Sequence, residues 1–217
     1  MNDRINRVIT ALRQNNMQGI YVPCINDVVG TVEKLLFKDC TITAGGSVSL
    51  KQSGVWDLIS KDCYRFFDRN REGITESEKI DVYKSCIDAD FYFCSTNAIT
   101  ENGELINVDG FANRIASISF GPKKVIMIVG ANKIVKDLNE GFLRVKKIAA
   151  PKNCVRLGID APCAKLGHCV SLLKTDSPVI TDGCNYEGRI CANYLINSRQ
   201  QKKDRICVIL CGEALGY

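Results

Sequence analysis

The sequence predicts an α/β fold in which helices flank a mostly parallel sheet. Segments of strand composition alternate along the chain with segments of helical periodicity, and this order favours parallel strands joined by crossover helices. The run from Val125 to Val129 is continuously apolar, which is typical of a strand covered on both faces. Polar residues crowd behind another apolar run, from Ser95 to Arg114, at the kind of position where open α/β sheets bind their ligands.

The first third of the chain contains two predicted helices and two predicted strands. The first helix has an apolar stripe at i, i+3, i+4 and i+7, formed by Ile5, Val8, Ile9 and Leu12. Gly19 can end it, and a short strand follows at 20–22. A second amphipathic helix is predicted from Asp27, as its N-cap, to about Asp39. The β-branched strand Thr41–Ala44 then leads into a Gly-Gly-Ser turn.

The middle of the chain continues this alternation. A helical pattern covers 56–60, and a strand is predicted at 64–67. Thr75 and Glu78 have capping-box spacing, so a long helix is expected to begin there. The next strand, Asp90–Cys94, ends at the polar segment.

The remaining elements surround or follow the polar segment. Residues 104–108 and 117–120 are predicted to form an antiparallel excursion or additional strands around it. A helix is predicted at 134–148, and two more strands are predicted at 154–157 and 205–211.

Length and composition indicate one domain, residues 1–217, with a substantial core. The chain has 217 residues, is 24% charged and 46% hydrophobic, and contains no linker-like segment. Turn-forming residues interrupt the alternation at about 160–190, which predicts an irregular lobe that contains cysteines.

Charge and hydropathy exclude several classes of protein. The net charge of +5 is modest and the basic residues are dispersed, so no nucleic-acid footprint is predicted, whereas an acidic small-molecule ligand is compatible. No run approaches the ~18 apolar residues that span a bilayer, and no apolar leader is visible. We expect a cytoplasmic protein whose twelve cysteines are mostly reduced thiols.

Gly45, Gly46 and Ser47 form the first candidate ligand-binding turn. Glycine lets a backbone approach a ligand closely, and N–H groups at a helix start attract a phosphate or carboxylate. The same three residues also fit a tight strand-to-helix turn in which Ser47 is only the N-cap.

Two carboxylates are candidate catalytic groups. Glu101 follows a strand end within the polar segment, so it is the first choice as general base or nucleophile, although it also fits a solvated turn beside Asn102 and Gly103. Asp109 is the second choice, and with Gly110 it also forms a good hairpin turn.

Four more residues of the polar segment are candidate ligand-binding groups. Asn97, Asn107 and Asn113 can orient a ligand or hold loops together through their amides. Arg114 can form a bidentate pair with an acidic substrate or a structural salt bridge with Glu101 or Asp109.

Cys163, Cys169, Cys184 and Cys191 are candidate metal ligands. Five, fourteen and six residues separate them, which matches neither a zinc ribbon nor the common iron–sulfur spacings. A metal or cluster, a redox disulfide or reactive thiol, and plain thiols all remain open.

The single histidine, His168, lies beside Cys169 and is expected in an exposed loop. It has no motif around it for a Ser-His-Asp hydrolase, and multi-histidine metal chemistry is excluded. The chain contains neither a Gly-x-Gly-x-x-Gly nor a Walker motif, so NAD and ATP are not predicted.

Several ordered motifs resemble those of the lactate-utilisation (LUD) domain family. They are Gly45-Gly46-Ser47, Asn97-Ala98-Ile99, Glu101, Asp109-Gly110, Asn113-Arg114, Phe120-Gly121-Pro122, and the segments 125–135, 162–169 and 212–217. The resemblance spans nearly the whole chain as a single LUD domain.

This resemblance implies a fold similar to that of the superfamily containing ribose-5-phosphate isomerase, glucosamine-6-phosphate deaminase and coenzyme A transferases. Those proteins bind phosphate or acyl groups at loops that follow parallel strands. On that arrangement, Gly45, Gly46 and Ser47 would meet Asn97 and Glu101 at one crevice.

The resemblance also implies a function. Relatives are associated with oxidation of lactate to pyruvate alongside iron–sulfur subunits. The leading hypothesis is therefore binding of a small organic acid, or of its activated or phosphorylated derivative. The alternatives are a non-catalytic accessory subunit of an iron–sulfur oxidoreductase and a cysteine-based metal or redox protein, and homo-oligomerisation is compatible with each of them.

The cofactor that the resemblance implies is zinc or an iron–sulfur cluster, bound by the cysteines of the irregular lobe. Many family members have four cysteines here, with the second and third close together. This chain departs from that pattern by an insertion, Val170 to Gly183, between Cys169 and Cys184.

Overall fold

Ten strands and nine α-helices make up the computed structural model, which describes residues 3–217. The strands are β1 (Gln18–Val22), β2 (Thr41–Ala44), β3 (Arg65–Phe67), β4 (Phe91–Cys94), β5 (Ala98–Thr100), β6 (Leu105–Asp109), β7 (Lys124–Gly130), β8 (Ile134–Val135), β9 (Asn193–Asn197) and β10 (Ile206–Cys211). The helices are α1 (Asp3–Gln14), α2 (Asn26–Glu33), α3 (Val48–Gln52), α4 (Val55–Ile59), α5 (Glu76–Asp88), α6 (Asn113–Ser119), α7 (Leu138–Arg144), α8 (Ala150–Leu157) and α9 (Pro162–Leu166). A π-helical turn, Val145–Ala149, joins α7 to α8.

The larger sheet has six strands in the order β1-β10-β7-β4-β2-β3, and all its neighbours are parallel. This confirms the α/β class with a parallel sheet flanked by helices. Because β2, β4 and β7 are adjacent, the loops that follow them emerge side by side at one edge of the sheet. Ligands of open α/β sheets bind at this carboxyl edge.

A smaller, mixed sheet continues from that edge. Its order is β8-β5-β6-β9, with β5 and β8 parallel and the other pairs antiparallel. The polar segment that follows β4 therefore forms β5 and β6 of this small sheet, and the chain returns to the main sheet at β7.

Two apolar layers cover the faces of the main sheet. One layer packs α1 against alternate residues of the central strands, including Val8, Leu12, Met127 and Val129. The other packs α2, α3 and α4 against the opposite face, including Val28, Leu50, Leu58, Ile126 and Ile128. Full burial of each such side chain contributes about 1.5–3 kcal/mol to the stability of the fold. Strand β7 contributes residues to both layers and has no exposed face, which explains its uninterrupted apolar run.

Several predicted elements were wrong, and the reasons are local. Residues 117–120 are the end of α6 and its cap, and 154–157 are the last turns of α8, because short apolar runs fit a helix as well as a strand. Helix α2 is capped at Ile25 rather than Asp27 and ends at Glu33. The predicted helix at 134–148 begins instead as β8.

Strand β9 was missed; it lies just behind the predicted irregular lobe, in a stretch for which no element was predicted. Its residues Asn193–Asn197 mix polar and apolar side chains, and it pairs only through β6 at the edge of the small sheet. An edge strand needs little continuous hydrophobicity, so the sequence signal is weak. No helix within residues 3–217 has both the length and the apolar character needed to cross a bilayer.

A carboxylate fastens the start of β4 to the start of β2. Asp90 accepts hydrogen bonds from the backbone N–H of Thr41 (2.8 Å), from the Thr41 hydroxyl (2.8 Å) and from the Lys123 ammonium (2.7 Å). Burial raises the pKa of the Asp90 carboxyl, but Lys123 and Thr41 outweigh burial and bring that pKa down to about 2.

We predict that Asp90→Asn lowers the free energy of unfolding at neutral pH by about 2 kcal/mol, because Lys123 and Thr41 stabilise the ionised carboxylate only in the folded state. The folded-state pKa is depressed, so this stabilisation is complete above about pH 4 and is lost as the pH falls towards about 2. Urea unfolding across that range measures it. Asp88→Asn, an exposed neighbour, is the matched control, and a wild-type advantage that persists at the lowest pH would contradict the prediction.

Candidate functional site

One open cavity of about 410 Å³ lies at the carboxyl edge of the main sheet. The loops after β2, β4 and β7 line it, together with the start of α6, the end of α8 and the segment 216–217. Of the predicted ligand-binding or catalytic residues, six line this cavity: Gly46, Ser47, Asn97, Asp109, Asn113 and Arg114. The glycine-rich turn and the asparagine-rich segment therefore share one concave surface.

Arg114 holds the loops of this surface together. Its two terminal nitrogens donate to the Ser95 carbonyl (3.1 Å), the Asn107 side-chain oxygen (2.7 Å), the Asn97 side-chain oxygen (3.0 Å) and the Val108 carbonyl (2.7 Å). All four acceptors are uncharged, so the guanidinium keeps its full positive charge beside the cavity. Its terminal N–H groups are already used by the protein.

The three asparagines act in the same framework. Asn97 also accepts from the Val108 N–H (2.9 Å), and Asn113 accepts from the N–H of Arg114 (2.9 Å). Asn107 is fully buried behind Arg114 and does not line the cavity. These contacts match the predicted alternative in which the asparagine amides hold loops together. Asn97 and Asn113 also line the cavity.

Asp109 sets the start of α6. Its carboxylate accepts from the backbone N–H groups of Arg114 (2.9 Å) and Ile115 (3.2 Å), which are unpaired donors at the helix start. The residue lines the cavity with this carboxylate engaged on the backbone.

Gly45 is required by a close approach, whereas Gly46 leaves an open position between two arginine side chains. A side chain at Gly45 would meet the Tyr92 hydroxyl at 2.7 Å. At Gly46, the position of a Cβ lies 3.4 Å from a terminal nitrogen of Arg69 and 3.9 Å from one of Arg156. Ser47 caps α3 by accepting from the Leu50 N–H.

Two guanidinium groups thus converge above Gly46. Arg156 donates to Asn153 and, at 2.8 Å, to the Tyr217 hydroxyl, while Arg69 lies 5.5 Å from the centroid of the Tyr83 ring. Neither arginine forms a salt bridge with a carboxylate within residues 3–217. Neutral partners orient these cations without cancelling their charge.

A buried lysine forms another part of the cavity wall. Lys133 follows β7, is only 3% exposed, and donates from Nζ to the hydroxyls of Ser49 and Ser95, both at 2.9 Å. Burial, followed by the charges of Arg144 and Arg114, lowers the pKa of its ammonium to about 7, and the Cys94 thiol opposes this shift slightly.

The charge balance of the cavity is strongly positive. Its charged lining residues are Arg69, Lys79, Asp109, Arg114, Lys133 and Arg156. Four of these six, Arg69, Lys79, Arg114 and Arg156, are cations, Lys133 is partly charged near neutral pH, and the lone carboxylate is turned onto backbone N–H groups. Such a surface favours an anionic ligand.

Glu101 lies outside this cavity. Its carboxylate accepts from Arg4 (2.7 Å) and Arg7 (3.0 Å) on α1, and the Arg4 hydrogen bond is the main cause of its lowered pKa. The crevice implied by the family resemblance therefore contains Gly46, Ser47 and Asn97, while Glu101 fastens a turn to α1.

The four predicted cysteine ligands line a second, much smaller cavity of about 20 Å³. Cys163, Cys169, Cys184 and Cys191 surround it, with Tyr194 and the π-helical turn, and Cys154 lies 3.7 Å from Cys163, sulfur to sulfur. Burial raises the pKa of both Cys154 and Cys163, which keeps these thiols protonated. Within residues 3–217 no three His, Cys, Asp or Glu side chains are grouped closely enough to hold a metal ion, so zinc or iron–sulfur binding stays a prediction.

Among the cavity residues that the sequence did not predict are Lys133, Arg69 and Arg156. Lys133 stands within a segment that carried the family resemblance, but a lone lysine after a strand has no distinctive pattern. Arg69 lies in a polar loop, and Arg156 lies in a segment predicted as a strand. Only the fold brings the three together.

Comparison with known proteins agrees with this architecture. A family model described as the LUD domain matches residues 5–211. The fold is similar to the crystal structure of a DUF162 family protein from Deinococcus radiodurans, with a TM-score of 0.54, 13% sequence identity and coverage of 97% of each chain. None of the curated proteins matches the sequence. The chain therefore belongs to the LUD domain family, a membership that supports a role related to lactate utilisation.

Proposed function

We propose that the chain binds a small organic acid, or a phosphorylated or otherwise activated derivative of one, in the 410 Å³ cavity as part of lactate-related metabolism. The observation that carries this proposal is the convergence of Arg69, Arg156 and Lys133 on one concave surface, with no carboxylate partner for any of them among residues 3–217. Cations in a recess bind anions because the surrounding protein excludes the water that would screen them.

The arginines and the lysine of the site lie at two separate places. Arg69 and Arg156 flank Gly46, whose missing side chain leaves room for a group to approach the backbone between them. Lys133 lies between the ends of β4 and β7, held by Ser49 and Ser95. A ligand with an anionic group and a second polar group can therefore interact at two points, which fixes its orientation.

The size of the cavity favours a ligand larger than a free three-carbon acid. Its volume of about 410 Å³ lies within the range of about 300–1,000 Å³ typical of small-molecule sites. Phe111 and Tyr83 contribute apolar surface at its rim, and Phe111 is 96% exposed. An acid extended by a phosphate or acyl-carrier group would use both the arginine pair and this rim.

We predict that the double variant Arg69→Ala/Arg156→Ala binds such an anion at least about tenfold more weakly, because a hydrogen bond to a charged group is worth about 1.5–3 kcal/mol. Isothermal titration calorimetry with lactate, pyruvate, ribose 5-phosphate and acetyl-CoA identifies the class bound and measures the loss. Lactamide, which lacks the carboxylate, is expected not to bind.

Arg71→Ala/Lys152→Ala is the matched control, since it removes two cations from the same loop and the same helix that do not line the cavity. It should retain wild-type affinity. Absence of binding to every member of the panel by the wild-type protein would refute the proposal and favour the accessory-subunit alternative.

A further inference from the structure

The two hydroxyls beside Lys133 are fixed as hydrogen-bond acceptors. Ser49 donates its hydroxyl hydrogen to the Leu215 carbonyl at 3.2 Å, and Ser95 donates its own to the Ile128 carbonyl at 2.6 Å. A hydroxyl has one hydrogen, so each serine oxygen is left to accept from the lysine. Both serines are buried, which keeps water from competing for these positions.

This arrangement matches the uncharged form of the lysine. A neutral amine has two N–H groups and one lone pair, and the two serine oxygens, each 2.9 Å from Nζ, take both hydrogens. The lone pair then has no partner within residues 3–217. An ammonium would instead have a third N–H without an acceptor there, which is costly in a buried position.

The electrostatic surroundings point in the same direction. The charged or titratable groups that influence Lys133 are Arg144 of α7, Arg114 of α6 and the Cys94 thiol of β4, and none of them is a carboxylate. Burial and the two guanidinium charges lower the pKa of the lysine to about 7, so a large fraction of it is neutral at physiological pH. A neutral, desolvated amine that lines a cavity is a nucleophile.

We propose that Lys133 forms an imine with the carbonyl carbon of a 2-oxo acid bound in the cavity. This inference rests on the proposed function and narrows its ligand to acids that carry a carbonyl group. The carboxylate of the acid supplies the charge that the cavity cations attract, and its carbonyl group meets the lysine.

The chemical step balances with one proton taken up from solvent water, which reaches the amine through the open cavity. The Nζ lone pair attacks the carbonyl carbon, the carbonyl π electrons move to oxygen, and the amine transfers a proton to that oxygen to give a neutral carbinolamine. The nitrogen lone pair then expels the hydroxyl, which takes up the proton from solvent and leaves as water. The product is a protonated imine at Lys133, and for each imine formed one proton is consumed and one water is released.

Reductive trapping tests this proposal on the wild-type protein. Borohydride delivers hydride to the imine carbon, so pyruvate is expected to add permanently the mass of the oxo acid less one oxygen atom. Peptide mass spectrometry should place the label at Lys133. Lys146 is the internal control, since it is equally buried but donates to the Asp182 carbonyl beside the cysteine cavity.

Lactate with borohydride should leave no label because it has no carbonyl group, and Lys133→Met should remove the label. The imine would be overturned if the label were spread over exposed lysines, or if no label formed although calorimetry showed saturable pyruvate binding. Either result would leave the proposed anion site intact. Loss of both binding and label would overturn the proposed function as well.

The pH dependence provides a separate prediction. Only the neutral amine attacks, so the initial rate of trapping at Lys133 should rise as the pH increases through about 7 and then level off. Labelling at limiting pyruvate over a pH series measures this profile. A rate that keeps rising towards about pH 10, as for a solvent-exposed lysine, would contradict it.

Discussion

The guanidinium of Arg114 is the interaction on which the cavity depends. Its four hydrogen bonds join the loop after β4, the strand β6 and the start of α6 through one side chain, and they add to the bonds that Asn97 and Asp109 make between the same parts. Hydrogen bonds to a charged donor are about twice as strong as neutral ones. Because the acceptors are carbonyl and amide oxygens, the same group fixes the shape of the site and leaves it positively charged.

This design explains why the cavity contains so few acids. A carboxylate paired with the Arg114 guanidinium itself would neutralise it, and a carboxylate beside Lys133 would raise the pKa of the ammonium. The protein instead satisfies these cations with serine, asparagine and backbone oxygens, and it turns Asp109 onto the first turn of α6. The positive potential is therefore maintained although burying charge is unfavourable. Burial of apolar side chains in the two layers of the main sheet offsets this unfavourable free energy.

The sequence predicted the parts of this molecule that depend on local pattern. The parallel sheet followed from long apolar runs, the capping box at Thr75 was confirmed, and the two loops expected to converge share a cavity. What depends on long-range placement could not be predicted. Arg69 and Arg156 are 87 positions apart in the chain and come together near Gly46, and Glu101 binds Arg4 and Arg7 of α1, which lie 97 and 94 positions earlier. The short helices α6 and α8 were mistaken for strands since their apolar runs are too short to show a period.

The segment Leu215–Tyr217 forms part of the cavity's framework. Leu215 supplies the carbonyl that orients Ser49, the Gly216 N–H donates to Gln52, and the Tyr217 hydroxyl lies between Arg156 and Asn153. This segment therefore helps to set the position of Ser49, and through Ser49 the position of Lys133. A substitution within it would change the cavity wall without altering any residue of the loops that follow β2, β4 and β7.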